Sequence, residues 1–112
     1  MLLTVGGKGL PIDDEGYLID PSDWNEDVAA ELARQESIVL ADRHWAVIRY
    51  MRDYYEQRQI APDARHVIKY LAGYSGGSGA GRNDLFNLFP YGYVKQACRI
   101  AGMRRPRSWS TG

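Results

Sequence analysis

Residues 93–109 read YVKQACRIAGMRRPRSW and contain the only cysteine of the chain, Cys98. The apolar side chains of this stretch recur at helical spacing with basic residues between them, which predicts an amphipathic helix over about 91–101. Gly102 then supplies a helix stop signal, and Pro106 excludes helix beyond it. The stretch therefore predicts a final helix, with Cys98 on its apolar side, followed by a basic arm over 103–112.

Upstream of this helix, the same spacing rule predicts four more helices. Trp24, Val28 and Leu32 recur at four-residue intervals, and Ser22 or Asn25 is available as an N-cap. Further stretches with helical spacing follow along the chain. The predicted helices span about 22–37, 41–59, 62–73 and 83–90.

The N-terminal residues have a different pattern. Residues 2–19 contain two short apolar runs separated by glycines and acidic turn residues, which predicts a β-hairpin packed on the helices. With 112 residues, the chain has the length of a single domain. We predict a mainly α fold, a compact bundle of about five helices with an N-terminal β-hairpin. The domain would cover residues 1–102 (hairpin 1–20, helices 22–102), and a mobile C-terminal arm would cover 103–112.

A glycine-rich segment, SGGSGAGR at residues 75–82, separates the third and fourth predicted helices. It does not fit a phosphate-binding loop, because Arg82 and Asn83 stand where a Walker motif needs Lys followed by Ser or Thr. We interpret it as a flexible turn. The two short helices around it are then predicted to pack like a helix-turn-helix.

The charge distribution is uneven although the formal net charge is zero. Residues 1–40 hold nine acidic side chains against two basic ones, and residues 41–112 hold twelve basic side chains against five acidic ones. The resulting charges of −7 and +7 either steer an acidic partner or nucleic acid to the C-terminal half, or hold the two halves together.

Several kinds of site and location are not expected. A single cysteine cannot form an internal disulfide, and His44 and His66 stand on different helices without a third ligand nearby in sequence. Neither a metal nor a cofactor is therefore predicted. The chain has no basic leader and no apolar run of about 20 residues, so we expect a cytoplasmic protein without membrane contact.

The sequence leaves two interpretations of Cys98 open. Lys95 and Arg99 flank it on the helix and would favour the thiolate, the reactive form of a cysteine. The C-terminal end of a helix and the apolar neighbours would instead raise the pKa of the thiol. Cys98 is therefore either a reactive thiol or a small residue of the core.

The arm combines three arginines with an aromatic residue: Arg104, Arg105, Arg107 and Trp109. A peptide of this kind is suited to binding phosphate groups or an acidic protein groove, with the indole as an anchor. Together with Lys95 and Arg99, these residues form the predicted binding surface. The alternatives are an ordinary solvated terminus, or a tryptophan that folds back over Cys98.

Five segments, taken in order, resemble one protein family. They read DEGYL, DWNEDVA, HWAVIRYMRDYY, LFNLFP and KQACRIAG, and together they span nearly the whole chain. This order is similar to that of the DsrC/TusE family of sulfur-relay proteins. The resemblance implies a small helical fold with an N-terminal hairpin and a mobile arm, and members that carry sulfur as a persulfide or trisulfide. It also implies partners of the sulfur-relay or sulfite-reductase type, since DsrC works with dissimilatory sulfite reductase and TusE passes sulfur toward thiouridine synthesis on tRNA.

The same resemblance assigns roles to two positions. In the family, the sulfur-bearing cysteine is second from the end of the arm, and DsrC members have another cysteine in the KQAC helix. Aligned through KQACRIAG, Cys98 occupies the helix position and Trp109 stands where the arm cysteine should be. Cys98 is thus the only possible sulfur-bearing thiol of this chain. The resemblance predicts a sulfur carrier or a transferase accessory rather than a stand-alone enzyme.

One alternative is a non-carrier member of the family with a regulatory or interaction role. Such a protein could bind nucleic acid through the predicted helix-turn-helix pair, with Arg65, Lys69, Arg82 and the arm as phosphate contacts. It could also present its arm to a larger enzyme as a structural subunit.

Overall fold

The computed structural model describes residues 1–74 and 81–104. Within these residues its elements are strands β1 (Leu2–Val5) and β2 (Lys8–Pro11) and helices α1 (Glu26–Gln35), α2 (Asp42–Arg58), α3 (Ala64–Tyr74), α4 (Gly81–Leu88) and α5 (Tyr93–Cys98). Helix α5 is π-helical and is followed by two more helical residues. A short 3-10 turn, Pro21–Asp23, precedes α1. The predicted mainly α fold with an N-terminal hairpin is confirmed.

The hairpin forms because two glycines supply a turn that other residues adopt poorly. Strands β1 and β2 pair antiparallel, with Val5 opposite Lys8. Gly6 and Gly7 link them with φ angles of 57° and 80°, the left-handed backbone of a two-residue type I′ turn. Leu3 is buried, and β1 contacts α1, so the hairpin packs on the helices through one face.

Helix α1 begins at residue 26, after a separate 3-10 turn. Asp20 Oδ1 accepts a hydrogen bond from the Ser22 backbone N–H at 2.9 Å, which closes the 3-10 turn before the helix. Asn25 is the N-cap, since its Oδ1 accepts from the Val28 N–H at 2.9 Å. The structure therefore selects Asn25 from the two N-cap candidates and leaves Trp24 outside the helix.

One connected apolar core lies between the hairpin and the helices. Val28 and Leu32, which the helical spacing placed on one face, are fully buried in it, and so are Ile48, Met51, Val67 and Leu71. Helices α3 and α4 pack against each other, but most of the glycine-rich segment, residues 75–80, lies outside the described residues. The helix-turn-helix geometry accordingly stays a prediction.

Only Met103 and Arg104 of the predicted arm belong to the described residues, and Arg105, Arg107 and Trp109 lie outside them. The domain boundary at residue 102 and the mobility of the arm stay predictions. In the described part of the chain, no helix is long and apolar enough to cross a membrane.

His44 links the start of α2 to the end of α4 and is buried. Its Nδ1 accepts a hydrogen bond from the Ala41 backbone N–H at 3.0 Å, and its Nε2 lies 2.9 Å from the Leu88 carbonyl oxygen. Only the neutral ring with its proton on Nε2 satisfies both contacts. Burial lowers the pKa of His44, and the hydrogen bond to Leu88 acts in the opposite direction.

We expect the acid side of the stability profile to depend partly on His44. Because its pKa is lower in the folded protein than the ordinary value of 6.5, the unfolded chain takes up a proton first as the pH falls. This contribution to stability is present above about pH 6.5 and is lost as the pH falls through the folded pKa. Urea unfolding between about pH 5 and 7.5 should therefore give a flatter pH profile for His44→Gln than for the wild type.

The matched control is His66→Gln, since His66 is exposed on α3. An equal flattening in both variants would contradict the role given to the buried ring.

Candidate functional site

Cys98 lies at the C-terminal end of the π-helical segment α5, and its exposed fraction is 0%. Gly92 precedes the segment with a φ of 106°, a left-handed conformation that favours glycine. Ala97 and Ile100, beside the cysteine, are also buried. The structure thus places Cys98 inside the core and not on a face open to solvent.

Tyr93 is the polar neighbour of the thiol. Its hydroxyl donates a hydrogen bond to the Pro62 carbonyl oxygen, in the segment between α2 and α3, and it also interacts with the Cys98 thiol. A phenol has one proton, which Pro62 accepts. A thiolate at Cys98 would compete with Pro62 for that proton. The buried Pro62 carbonyl would then lose its donor, which costs about 1–3 kcal/mol.

Burial raises the pKa of the Cys98 thiol to about 12, and the hydrogen bond with Tyr93 offsets only part of this rise. At neutral pH the nucleophilic thiolate is therefore scarce. The two cations expected to favour the thiolate are placed elsewhere. Lys95 is exposed, and the guanidinium of Arg99 is held by groups outside α5.

Arg99 belongs to a polar network that ties α5 to the end of α1. Its Nη1 donates to Glu36 Oε2 at 2.7 Å, and its Nε donates to the Gly16 carbonyl oxygen at 3.1 Å. The buried Gln96 donates from Nε2 to the other Glu36 oxygen at 2.8 Å and accepts from the Tyr91 N–H at 2.9 Å. The carboxylate of Glu36, at the C-cap of α1, therefore anchors Gln96 of α5 and Arg99 directly after it.

Sequence reasoning identified neither Glu36 nor Gln96. At α-helical spacing, Gln96 falls on the polar side of the predicted helix together with Arg99. A π-helical turn contains more residues than an α-helical one, so it changes which side chains face the core. No local signal in the sequence indicated this change of winding.

The end of α5 is held by Trp24 and Arg52, which together are called the arm base below. Trp24 Nε1 donates to the Ile100 carbonyl oxygen at 2.9 Å. Arg52 donates to the carbonyl oxygens of Ala101 and Pro21 at 3.2 and 3.1 Å, and its guanidinium lies 4.7 Å from the centre of the Trp24 ring. These bonds satisfy carbonyl groups that the end of a helix leaves without partners.

Gly102 turns the chain at the arm base. It has a φ of 76°, and its N–H donates to the Arg99 carbonyl oxygen at 3.1 Å. The Met103 N–H donates to the Cys98 carbonyl oxygen at 2.9 Å, which completes the Schellman pattern of helix termination. Met103, the first residue of the predicted arm, is buried in the core, and Arg104 is exposed.

We expect Gly102→Ala to lower the free energy of unfolding by about 2–4 kcal/mol, as measured by urea denaturation. A side chain is strained at a φ of 76°, and its Cβ would lie 2.5 Å from Cδ1 of Trp24. The control is Gly73→Ala in α3, where a Cβ meets nothing within 4 Å. This change should be neutral or slightly stabilising. Similar losses in both variants would contradict the role of Trp24 at this turn.

We expect Cys98 to react with an aromatic disulfide reagent far more slowly in the folded protein than in guanidinium chloride. The rise of its pKa from 9.0 to about 12 lowers the thiolate fraction about a thousandfold at pH 8, and burial also blocks access. The internal standard is Gln57→Cys, which adds a thiol on the exposed surface of α2. Equal reaction rates of the two thiols in the folded variant would contradict the burial of Cys98.

Comparison with known proteins agrees with the ordered motifs and the helical fold. The family model described as DsrC like protein matches residues 4–109. The chain belongs to the DsrC-like family. Sulfurtransferase TusE of Photorhabdus laumondii is 39% identical over 106 residues, which cover 95% of this chain and 96% of that protein. Sulfurtransferase TusE of Escherichia coli K12 is 38% identical over 105 residues, which cover 94% of this chain and 96% of that protein.

Solved structures of DsrC have the same fold as this DsrC-like chain. The oxidized gamma-subunit of dissimilatory sulfite reductase (DsrC) from Archaeoglobus fulgidus matches with a TM-score of 0.87 and 36% identity, over 97% of this chain and 99% of that one. The NMR structure of DsrC from Allochromatium vinosum matches with a TM-score of 0.82 and 41% identity, over 96% of each chain. The predicted membership of the DsrC/TusE family is confirmed, and it supports a role in sulfur relay.

Proposed function

We propose that this DsrC-like protein assists a sulfur relay by docking on relay partners, and that it does not carry sulfur in its folded state. The observation that carries this proposal is the complete burial of Cys98, the only cysteine of the chain. The position aligned with the arm cysteine of the family holds Trp109. The arm therefore supplies no second thiol.

Persulfide transfer requires direct contact between a thiolate and the outer sulfur of the donor persulfide. The thiolate attacks that sulfur, a new S–S bond forms, the donor S–S bond breaks, and the donor leaves as a thiolate. The folded protein offers neither the direct contact nor the thiolate, because Cys98 is enclosed by the core and its thiol is protonated. Loading would require Tyr93 to leave Pro62 and the core around α5 to open.

The family supports the sulfur-relay part of the proposal. The relatives are named sulfurtransferase TusE, and the matching structures are of DsrC, the gamma-subunit of dissimilatory sulfite reductase. We therefore propose partners of the sulfur-relay or sulfite-reductase type. The proposed contacts are one exposed lysine of α5 and the side chains of the arm: Lys95, Arg104, Arg105, Arg107 and Trp109. We assign Arg99, the other predicted contact on this helix, a structural role, since its side chain is 14% exposed and pairs with Glu36 at 2.7 Å.

The nucleic-acid alternative gains no support. None of the relatives reported above is named for nucleic-acid binding. Arg65, one of the predicted phosphate contacts, pairs with Asp63 at 3.0 Å, and the side chain of Arg82 lies outside the described atoms.

Restoring the arm cysteine should restore sulfur carriage. We expect Trp109→Cys to gain about 32 Da after incubation with a low-molecular-weight persulfide donor, because the added thiol belongs to the arm and not to the core. The wild type should gain no such mass under the same conditions, since Cys98 is buried. Mass spectrometry of the intact protein, without reducing agent, measures both outcomes.

Three further variants separate the two thiols. Trp109→Cys combined with Cys98→Ala should load as well as Trp109→Cys alone, and Trp109→Ser should stay unloaded. A wild-type adduct that disappears in Cys98→Ala would contradict the proposal and make Cys98 a carrier.

The proposal that the protein docks on relay partners is tested with the persulfide-loaded Trp109→Cys variant. Trp109→Cys with radioactive persulfide sulfur is added to an extract of the source cells, and the label on other proteins is followed. Excess wild-type protein should lower the transfer by competing for the acceptors. A competitor with Arg104, Arg105 and Arg107 all changed to alanine should be weaker. Transfer that excess wild type leaves unchanged would show that the wild type does not dock.

A further inference from the structure

The hairpin has one edge that no strand of the described residues covers. Strands β1 and β2 form a two-stranded sheet, and the segment that follows β2 pairs back on it through the bridge between Ile12 and Leu18. The other side of β1 has no neighbouring strand among these residues. We propose that this edge of β1 binds the same edge of a second copy of the chain, so that the two hairpins form one continuous antiparallel sheet.

The register of the hairpin determines which backbone groups of β1 point to the open edge. The residues on either side of its two-residue turn form a hydrogen-bonded pair, and the Ile12 N–H donates to the Met1 carbonyl oxygen at 3.0 Å. Backbone groups alternate in direction along an antiparallel strand. Leu2 and Thr4 therefore direct their N–H and C=O groups away from β2. Both residues are exposed.

These two residues make the edge of β1 complementary to itself. When two β1 strands lie antiparallel around a twofold axis at Leu3, Leu2 of each copy faces Thr4 of the other copy. Each such pair exchanges N–H···O=C hydrogen bonds in both directions. This register uses all the backbone groups that β1 directs to its open edge, and it leaves the side chain of Leu3 buried in the core.

The sequence of β1 contains nothing that opposes this pairing. Soluble proteins commonly protect an edge strand with charged side chains, proline or a bulge. Strand β1 reads LLTV and has no charge and no proline. Since a twofold axis brings identical residues close together, a charge on β1 would repel its own copy. A second β1 strand therefore matches this edge in hydrogen bonding and in charge.

The outer face of the hairpin supplies apolar area to the same contact. Leu2 pairs with Pro11, and the Ile19 N–H donates to the Pro11 carbonyl oxygen at 3.2 Å, so the three residues form one row across the face. Leu2 and Ile19 are 67% and 49% exposed. Gly9 lies beneath Leu2, since a Cβ at Gly9 would be 3.1 Å from Leu2 Cδ1. In the dimer the two Leu2 side chains are diagonal neighbours, which places the two apolar rows side by side.

Pairing through the hairpin goes beyond the proposed function. It uses neither sulfur chemistry nor the residues that we assign to relay partners, which are Lys95 and the side chains of the arm. A dimer would offer two sets of these residues to a partner with two sites. Self-association and persulfide transfer are measured separately, so the failure of one proposal leaves the other unaffected.

Amide hydrogen exchange of the full chain tests the pairing at the residue that makes it. The Thr4 N–H is open to solvent in the monomer and hydrogen-bonded in the dimer. We expect it to exchange about threefold more slowly, or less rapidly still, at about 1 mM protein than at about 20 µM. The internal control is Gly9, whose N–H points to the opposite edge of the sheet and should exchange equally at both concentrations. Sedimentation over the same range should show monomer changing to dimer.

Two variants block the edge in different ways. Thr4→Pro removes an N–H that crosses the interface and leaves the bonds between β1 and β2 in place. Leu2→Lys places like charges beside the twofold axis, and it serves as the test if Thr4→Pro does not fold, as judged by circular dichroism. Each should raise the dissociation constant of the dimer about tenfold or more. The control is Val39→Lys, the same kind of change at a residue that is 88% exposed between α1 and α2, and it should leave the dimer unchanged.

Three results would overturn the proposal. The first is a protein that stays monomeric up to about 1 mM. The second is a dimer that both edge variants leave intact, since the contact would then lie on another surface. The third is slow exchange of the Thr4 N–H that does not depend on concentration, which would show that the chain covers its own edge.

Discussion

The end of α5 is fixed by two side chains that are distant from it in sequence, and the rest of the site depends on this contact. Trp24 donates to the carbonyl oxygen of Ile100, 76 positions away, and Arg52 donates to the next carbonyl group. The same indole leaves no room for a Cβ at Gly102. Because these contacts stop the helix at one residue, they hold Cys98 inside the core and determine where the arm begins.

The fixed end of α5 is the basis of our proposal that the remaining cysteine does not carry sulfur in the folded protein. A relay thiol has to ionise and to reach into a partner protein. Burial prevents ionisation, since the thiolate would lose solvation and would compete with Pro62 for the proton of Tyr93. Burial also prevents the sulfur from entering a partner protein, since the sulfur belongs to a packed helix. The resemblance to the DsrC/TusE family implies that both tasks belong to an arm cysteine, and it aligns Trp109 of this chain with that position.

Much of the fold could be predicted because its causes are local. The hairpin follows from paired glycines between short apolar runs, and the buried faces of α1 and α2 follow from apolar residues at helical spacing. Of the two N-cap candidates for α1, Asn25 is used, because Asp20 and Ser22 form a separate 3-10 turn first. For α5, the helix was predicted but its π-helical winding was not. That winding accompanies the burial of Gln96 against Glu36, a contact between residues 60 positions apart.

The sequence by itself determined the mainly α class, the family and the single thiol. Each of these follows from residue identities or from short-range spacing. Only the tertiary structure decided that the thiol is enclosed and that Arg99 binds Glu36 and Gly16. The physical reason is that burial and charge pairing depend on segments that meet only after folding, so no local pattern encodes them.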